Sequence, residues 1–215
     1  MQELLDVQGI VIKVESVDEY DKKVTLITRE KGKIIAYAKG ARRTGNKLQA
    51  PCDVFNFGSF KLFAYRNSYQ LTDASIRNFF PGLRADYEAS FYGSYFLEIA
   101  SYYARENTDE TEMIKLLYCA LEALLKEQFP RTLVRSIYEI KAIMINGEFM
   151  GIPEKSENMS TIDKVIRYIY DNPSDKIYNF VLNEDLEQKL KKIAKDNTSR
   201  AFDRPFMSLQ LIEND

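Results

Sequence analysis

Basic side chains concentrated between residues 22 and 47 could bind phosphate groups. This segment carries a single acid, Glu30, although the chain as a whole has a formal net charge of -2. The imbalance indicates a nucleic-acid contact surface, and the alternative is a charged hairpin that water simply solvates. The basic residues of the segment are Lys22, Lys23, Arg29, Lys31, Lys33, Lys39, Arg42, Arg43 and Lys47.

The same segment predicts a strand that leads into an exposed loop. One set of side chains, Ile34, Ala36 and Ala38, alternates with another, Ile35, Tyr37 and Lys39, with the period of two expected of a strand in a small barrel. Gly40 and Gly45 then bracket a loop whose cations have little chance of burial. Tyr37 alternates with small alanines and precedes Lys39, so it is the best candidate for stacking on a base.

Composition excludes most familiar enzyme chemistry. The chain has no histidine and two cysteines, Cys52 and Cys119, far apart in sequence. A histidine triad, a histidine zinc site and a Cys-x-x-Cys knuckle are therefore ruled out. A phosphate-binding loop of the Gly-x4-Gly-Lys-Ser/Thr type is absent. We expect a protein that is not an enzyme and needs no metal or cofactor, although carboxylate chemistry stays open.

Targeting signals are also missing from the sequence. No apolar run approaches the length of a membrane span, and Glu3 and Asp6 lie where a signal peptide would carry positive charge. We expect a cytoplasmic, nucleoid-associated protein without a membrane partner.

The order of predicted elements indicates an α+β protein in two parts. Five strand-like segments precede Pro81, the first of them over residues 9–15, and this number fits a small barrel, of which the OB-fold is the commonest nucleic-acid-binding type. After Pro81 the apolar spacing becomes helical and predicts an all-α domain. We expect an OB-fold domain over residues 1–80 and a helical domain over residues 81–215.

Several local signals refine this prediction. Aromatic residues crowd the fourth segment, residues 53–65, where barrel core is the first interpretation and exposed stacking platforms the second. Ser160 and Asn183 have the side chains of helix N-caps. A last short helix is expected over residues 204–212.

These features together resemble the RecO family of bacterial recombinational-repair mediators. The resemblance covers the chain to about residue 153 and is loose beyond it. The matching motifs are Gly-Ile-Val-Ile-Lys-Val at 9–14, Thr-Arg-Glu-Lys-Gly-Lys at 28–33, Ala-Lys-Gly-Ala-Arg-Arg at 38–43, Phe-Pro-Gly-Leu-Arg-Ala-Asp-Tyr at 80–87, and Tyr-Glu-Ile…Ile-Asn-Gly-Glu at 138–148.

The resemblance implies an OB-fold followed by helices, without catalytic turnover. Such proteins bind single-stranded and double-stranded DNA and anneal strands coated with single-strand-binding protein. With RecR they help RecA to replace that coat. Carried onto this sequence, the resemblance and the Tyr37 prediction place DNA-binding residues at Arg29, Lys31, Lys33, Tyr37, Lys39, Arg42, Arg43 and Lys47.

Two further expectations follow from the resemblance. Many relatives carry a four-cysteine zinc knuckle after the position of Gly147, whereas residues 147–161 here contain no cysteine and form a reduced, metal-free version. Docking of the acidic, Phe-terminated tail of single-strand-binding protein needs an apolar pocket rimmed by cations. Arg131 and Arg135, beside Leu133 and Val134, are the candidates, and ordinary solvated charges are the alternative.

A competing function is that of a protein adaptor. In this alternative the barrel binds RecR or another protein and contacts DNA only through that partner. The sequence pI of about 5.5 favours it.

Overall fold

The computed structural model describes residues 3–65, 68–156 and 159–213 as five strands, seven helices and their connections. The strands are β1 (Glu3–Val17), β2 (Asp21–Thr28), β3 (Gly32–Ala38), β4 (Phe57–Tyr65) and β5 (Ser68–Asn78). The helices are α1 (Pro81–Ala85), α2 (Tyr87–Tyr103), α3 (Thr111–Leu124), α4 (Arg131–Ile145), α5 (Thr161–Asp171), α6 (Glu184–Ala201) and α7 (Met207–Glu213).

The five strands close into a barrel in the order β1-β2-β3-β5-β4. All neighbouring strands are antiparallel except β3 and β5, which pair in parallel through Ala36 with Tyr69 and Tyr37 with Gln70. A five-stranded barrel of this kind is typical of the OB-fold. The expected five-stranded OB-fold barrel followed by helices is confirmed.

Strand β1 serves both sides of the barrel because it changes partner near its middle. Its first part pairs with β4 and its second with β2, and Gly9 lies opposite both Gly58 and Thr28. A Cβ atom at Gly9 would come within 2.4 Å of the Ile27 carbonyl oxygen. Only glycine allows the strands to approach so closely at this corner.

Small and branched side chains fill the barrel. Of the aromatic fourth segment, Phe55 and Phe60 are buried, whereas Phe57 and Phe63 are half-buried; the side chain of Tyr65 lies outside the described residues. The segment was expected to be a strand from residue 53, but β4 begins at Phe57. Residues before it turn instead, with Phe55 at a φ of +73°.

The chain divides into two compact units. The first comprises Met1–Pro81 with Ala100–Ile114, and the second Gly82–Ile99 with Lys115–Asp215. Within the first unit the N–H of Lys33 donates to the carbonyl of Arg105 at 2.9 Å, so residues 100–114 are attached to β3. A separate domain of residues 1–80 therefore stays a prediction.

Helix α4 is the centre of the second unit. Ten of its residues are buried, among them three polar ones, Glu139, Lys141 and Ser136. Lys141 Nζ donates to three carbonyl groups at the end of α5, those of Ile169, Tyr170 and Asn172. These bonds satisfy carbonyls that have no partner inside the helix.

The predicted caps of the two following helices are confirmed. Ser160 accepts a hydrogen bond from the N–H of Asp163, which completes a capping box. Asn183 Oδ1 accepts from the N–H of Leu186 at 3.0 Å. No described helix is long and apolar enough to cross a membrane. The described residues also contain no group of three or more potential metal ligands from His, Cys, Asp and Glu.

Gly32 and Gly45 provide a matched test of the attachment between β3 and residues 100–114. Both have positive φ, +62° and +79°, but a Cβ at Gly32 would lie 1.9 Å from the Arg105 carbonyl oxygen, whereas one at Gly45 would meet nothing within 4 Å. Gly45→Ala should cost only the strain of about 1–2 kcal/mol. Gly32→Ala should cost about 3 kcal/mol or more, because the backbone must move. Urea unfolding measures both, and equal losses would contradict the close approach.

Candidate nucleic-acid interface

The basic loop, residues 39–47, is attached to the turn between β1 and β2, residues 18–20. The N–H of Arg42 donates to the Tyr20 carbonyl at 2.9 Å. Nearby, the N–H of Gly40 donates to Asp21 Oδ1 at 2.8 Å. The loop therefore has a defined position on the barrel.

Arg42 is exposed and its guanidinium bonds to uncharged atoms. Its Nη1 donates to the carbonyls of Glu19 at 3.0 Å and Asp18 at 3.4 Å. A carbonyl group orients a guanidinium without cancelling its charge. The remaining N–H groups of Arg42 can therefore donate to an anion.

Arg43 is also exposed and lies over an aromatic ring. Its Cζ atom is 4.5 Å from the centroid of the Tyr20 ring, a cation–π geometry. This contact limits the rotamers of Arg43 while the charge is retained. Tyr20 is a residue that sequence reasoning missed, because the contact joins segments that are distant in the chain.

Lys47 differs from the two arginines, since it pairs with an acid. Its Nζ is 3.0 Å from Asp73 Oδ1 on β5, and both side chains are largely exposed. The hydrogen bond from Lys47, together with its charge, lowers the pKa of Asp73. The carboxylate is thus ionised at neutral pH, and Lys47 contributes less free charge than the sequence implied.

Tyr37 lies on the outer face of β3, and Lys39 is the first residue of the basic loop that follows the strand. In the part of the chain that the structure describes, the Lys39 ammonium has no hydrogen-bonding or ionic partner. Tyr37 is 38% exposed and Ile35 on the same face is 44% exposed. The strand neighbours of Tyr37 are Lys23 on β2 and Gln70 on β5. A ring and an ammonium therefore lie side by side on an open surface.

Two of the other predicted cations, Arg29 and Lys33, have local side-chain partners. Arg29 Nη1 donates to Gln8 Oε1 at 3.2 Å, and Lys31 is half-buried. Lys33 Nζ donates to the Ser101 carbonyl at 2.6 Å in the last turn of α2. A cation at this position interacts favourably with the C-terminal end of the helix dipole. These residues support the barrel and its attached segment more than the loop surface.

Lys22 anchors the part of the connection between β3 and β4 that follows the basic loop. Its side chain is only 15% exposed, and Nζ bonds to the carbonyls of Gln49 and Cys52 and to Asp53 Oδ1. Burial raises the pKa of Cys52 to about 12, so the thiol beside it stays protonated. Lys22 belongs to the support of the loop, although the sequence counted it in the basic surplus.

Acids also lie closer to the loop than the sequence suggested. The turn that holds the two arginines contains Asp18 and Glu19, with Asp21 following, all outside the segment in which the basic surplus was counted. Their carboxylates reduce the positive potential around Arg42. The sequence signal was present as an acidic turn, but nothing in it indicated that the turn contacts the loop.

The residues predicted for partner docking differ in their exposure and in their partners. Leu133 and Val134 are each 1% exposed and belong to the core of the second unit. Arg131 is held by the carboxylates of Asp86 and Glu88. Arg135 Nε donates to the buried Glu139 at 2.8 Å. Leu133 therefore offers almost no exposed surface to a partner, and docking at Arg131, Leu133 and Arg135 stays a prediction.

A different pocket lies beside Arg135. It has a volume of about 320 Å³ and is lined by Tyr92, Thr132, Arg135, Ser136, Lys191 and Ile212. Lys191 on α6 and Arg135 on α4 supply two cations, while Tyr92 and Ile212 supply apolar surface. The cationic and apolar character expected for tail docking is present here, with Lys191 as a residue that the sequence did not indicate.

Comparison with known proteins finds that this chain is similar to DNA repair proteins named RecO. Residues 1–80 match the family model described as Recombination protein O N terminal. A DNA repair protein RecO from Clostridium perfringens is 24% identical over 98% of this chain and 98% of its own length. The DNA repair proteins RecO of Symbiobacterium thermophilum and Alkaliphilus metalliredigens are 32% and 29% identical, each over 67% of this chain. In these two matches the chain spans only 57% and 58% of the relatives' length.

The contrast between Lys22 and Lys39 can be tested by replacing each with methionine. Lys22→Met should lower the free energy of unfolding by about 1.5–3 kcal/mol, because it removes charge-assisted hydrogen bonds from a largely buried ammonium. Lys39→Met, at an exposed position, should change it by less than about 0.5 kcal/mol. Urea denaturation followed by circular dichroism measures both. A stable Lys22→Met variant would contradict the anchoring role.

Proposed function

Because the chain belongs to the RecO family, we propose that it acts in DNA repair and homologous recombination by binding DNA through the basic loop. The observation that supports this proposal is the partner set of Arg42 and Arg43, which consists of carbonyl groups and a ring. Two oriented guanidinium groups that form no ion pair within the described residues are suited to phosphate oxygens. Lys39 extends the same surface.

The proposed activity is annealing of complementary strands, single-stranded and double-stranded DNA both being ligands. Neutralising phosphates lowers the repulsion between two strands, and counterion release supplies affinity that falls with salt. Neither step requires bond chemistry, in agreement with a role outside catalysis. With RecR as partner, the protein would assist loading of RecA onto DNA coated with single-strand-binding protein.

Binding of this kind reads the backbone and not the base sequence. The loop offers guanidinium and ammonium groups, which suit phosphates, and Tyr37 and Ile35 offer exposed apolar surface for unpaired bases. We therefore propose weak sequence preference. Single strands gain from stacking, whereas duplexes contact the cations alone.

A loop variant tests the proposal. Replacing Lys39, Arg42 and Arg43 together with alanine should weaken single-strand binding and reduce the slope of log K against log salt by about 2, since each lost phosphate contact contributes about 0.7. The free energy of unfolding should change by less than about 1 kcal/mol. Fluorescence anisotropy with a labelled oligonucleotide at several salt concentrations measures affinity and slope.

The matched control replaces three exposed lysines of the second unit, Lys164, Lys192 and Lys195, with alanine. It removes the same charge and should leave the salt slope unchanged.

The adaptor function is the second candidate, favoured by the acidic residues Asp18 and Glu19, whose carbonyl groups bond to Arg42. Wild-type protein that shows neither affinity nor salt slope would support the adaptor and contradict direct binding.

The acidic, Phe-terminated tail of single-strand-binding protein is the proposed ligand of the pocket beside Arg135. The tail carboxylates would meet Lys191 and Arg135, and its aromatic end would contact Tyr92 and Ile212. Arg135 lines the pocket and also bonds to the buried Glu139. Replacing Arg135 would remove this partner from a buried carboxylate, so Arg135 is unsuited to a test. Lys191 is the better position for a test.

Lys191 and Lys192 are adjacent exposed residues of α6, and only Lys191 lines the pocket. Lys191→Glu should weaken binding of a tail peptide by about fivefold or more, because it places a like charge beside the ligand's carboxylates. Lys192→Glu should have little effect. Titration calorimetry with the peptide measures both, and equal affinity of the two variants would place the tail elsewhere.

A further inference from the structure

We propose that the depression between the basic loop and β5 holds one unpaired nucleotide of a bound single strand. This inference rests on the proposed function and adds to it a binding site for a single base. The depression is open and has a volume of about 320 Å³. That volume lies at the lower end of the range of about 300–1,000 Å³ for small-molecule sites, which suits one nucleotide and not a longer stretch.

The floor of the depression is apolar. Leu48, from the end of the loop, and Leu71, from β5, line it and also belong to the barrel core, where they are 5% and 1% exposed. These two side chains leave a small apolar surface in the depression, over which the flat, apolar face of a nucleobase can lie. Because the floor is part of the core, it is present before the ligand arrives.

The walls can bond to the edge of a base. Gln70 and Thr72 flank Leu71 on β5 and line the depression. In the described part of the chain the side-chain amide of Gln70 has no hydrogen-bonding partner. Thr72 Oγ1 donates to the Lys61 carbonyl at 3.0 Å, and its lone pairs remain to accept a bond. An amide both donates and accepts, so any of the four bases could find a partner there.

Two lysines lie at the rim, and their charges are unequal. Lys47 is paired with Asp73, whose carboxylate would repel a phosphate on that side. Lys39 lacks a described partner, so the phosphate of the inserted nucleotide would lie on its side of the rim. The site thus combines an apolar floor, a bonding wall and one cation at its edge.

The depression continues the outer face of β3. Gln70 is the strand partner of Tyr37, and Lys39 lies two residues beyond that tyrosine, at the start of the basic loop. A single strand that stacks one base on Tyr37 can place a neighbouring base in the depression. A duplex cannot do so, because its bases are already paired and stacked. The consequence is a preference for single strands that the arginines alone would not give.

The test combines a filled depression with a DNA strand that lacks bases. Thr72→Leu puts a larger apolar side chain into the depression, and Ser75→Leu is the matched control at an exposed position of the same strand outside it. The probes are a single-stranded oligonucleotide, the same strand with abasic sites throughout, and a duplex. Neither substitution alters charge, so duplex affinity should be equal in all three proteins.

The preference for the intact single strand over the abasic strand should depend on the depression. Wild type and Ser75→Leu should bind the intact strand at least about fivefold more tightly than Thr72→Leu does, which is the lower end of what one bound base contributes. Affinity for the abasic strand should be the same in all three proteins. This dependence separates the depression from Tyr37, which remains in every variant.

Two results would overturn the inference. The first is a Thr72→Leu variant that binds the intact strand as tightly as wild type does, while both retain salt-dependent affinity. The second is a Thr72→Leu variant whose affinity falls below that of wild type by the same factor for the abasic strand, the duplex and the intact strand, since that pattern indicates a misplaced loop. Absence of salt-dependent binding by wild type to all three probes would overturn the proposed function itself, and this site with it.

Discussion

The contact between the basic loop and the turn before β2 is the interaction on which the interface depends. It fixes Arg42 through carbonyl groups and Arg43 through the ring of Tyr20. Had carboxylates held the same guanidinium groups, as they hold Arg131, the positive charge would be largely cancelled. The chain therefore contains two kinds of arginine that differ in their partners. An arginine paired with carboxylates stabilises the fold, whereas an arginine held by uncharged groups remains available to an anion.

The barrel makes this arrangement rigid. Ala41, Leu48 and Cys52, from the connection between β3 and β4, are buried in the barrel core, and Lys22 bonds to the end of the same connection. A loop anchored at several points loses little conformational entropy when it binds. The cations between those anchors, Arg42 and Arg43, are thus presented on a largely preformed surface, and the depression beside β5 shares its floor with the core.

Local signals in the sequence were enough to predict the class of fold. Alternation in β3, the change of period after Pro81 and the caps at Ser160 and Asn183 each report on a few neighbouring residues. Boundaries were less predictable: β1 begins at Glu3, six residues before the expected start at Gly9, because its first part pairs with β4. Such pairing joins residues far apart in the chain and leaves no periodic mark.

The basic composition of residues 22–47 indicated the site, whereas the sequence could not show which of these cations are paired with other groups. The cluster from Lys22 to Lys47 looks uniform in sequence, yet Lys22, Lys33 and Lys47 bond to Asp53, Ser101 and Asp73, all of them outside the segment. The same limit applies at the start of α4, where the sequence shows Leu133 beside Arg131 but not that Leu133 faces the core. Which cations stay available is a property of tertiary contacts.

The most direct measurement of the central claim is the side-chain NMR spectrum of the arginines during titration with a single-stranded oligonucleotide. The Nε–Hε resonances of Arg42 and Arg43 should shift as DNA is added, because phosphate oxygens replace water at guanidinium groups that form no ion pair within the described residues. Those of Arg131 and Arg135, bonded to carboxylates, should stay in place. DNA binding that leaves the Arg42 and Arg43 resonances unmoved would contradict the account.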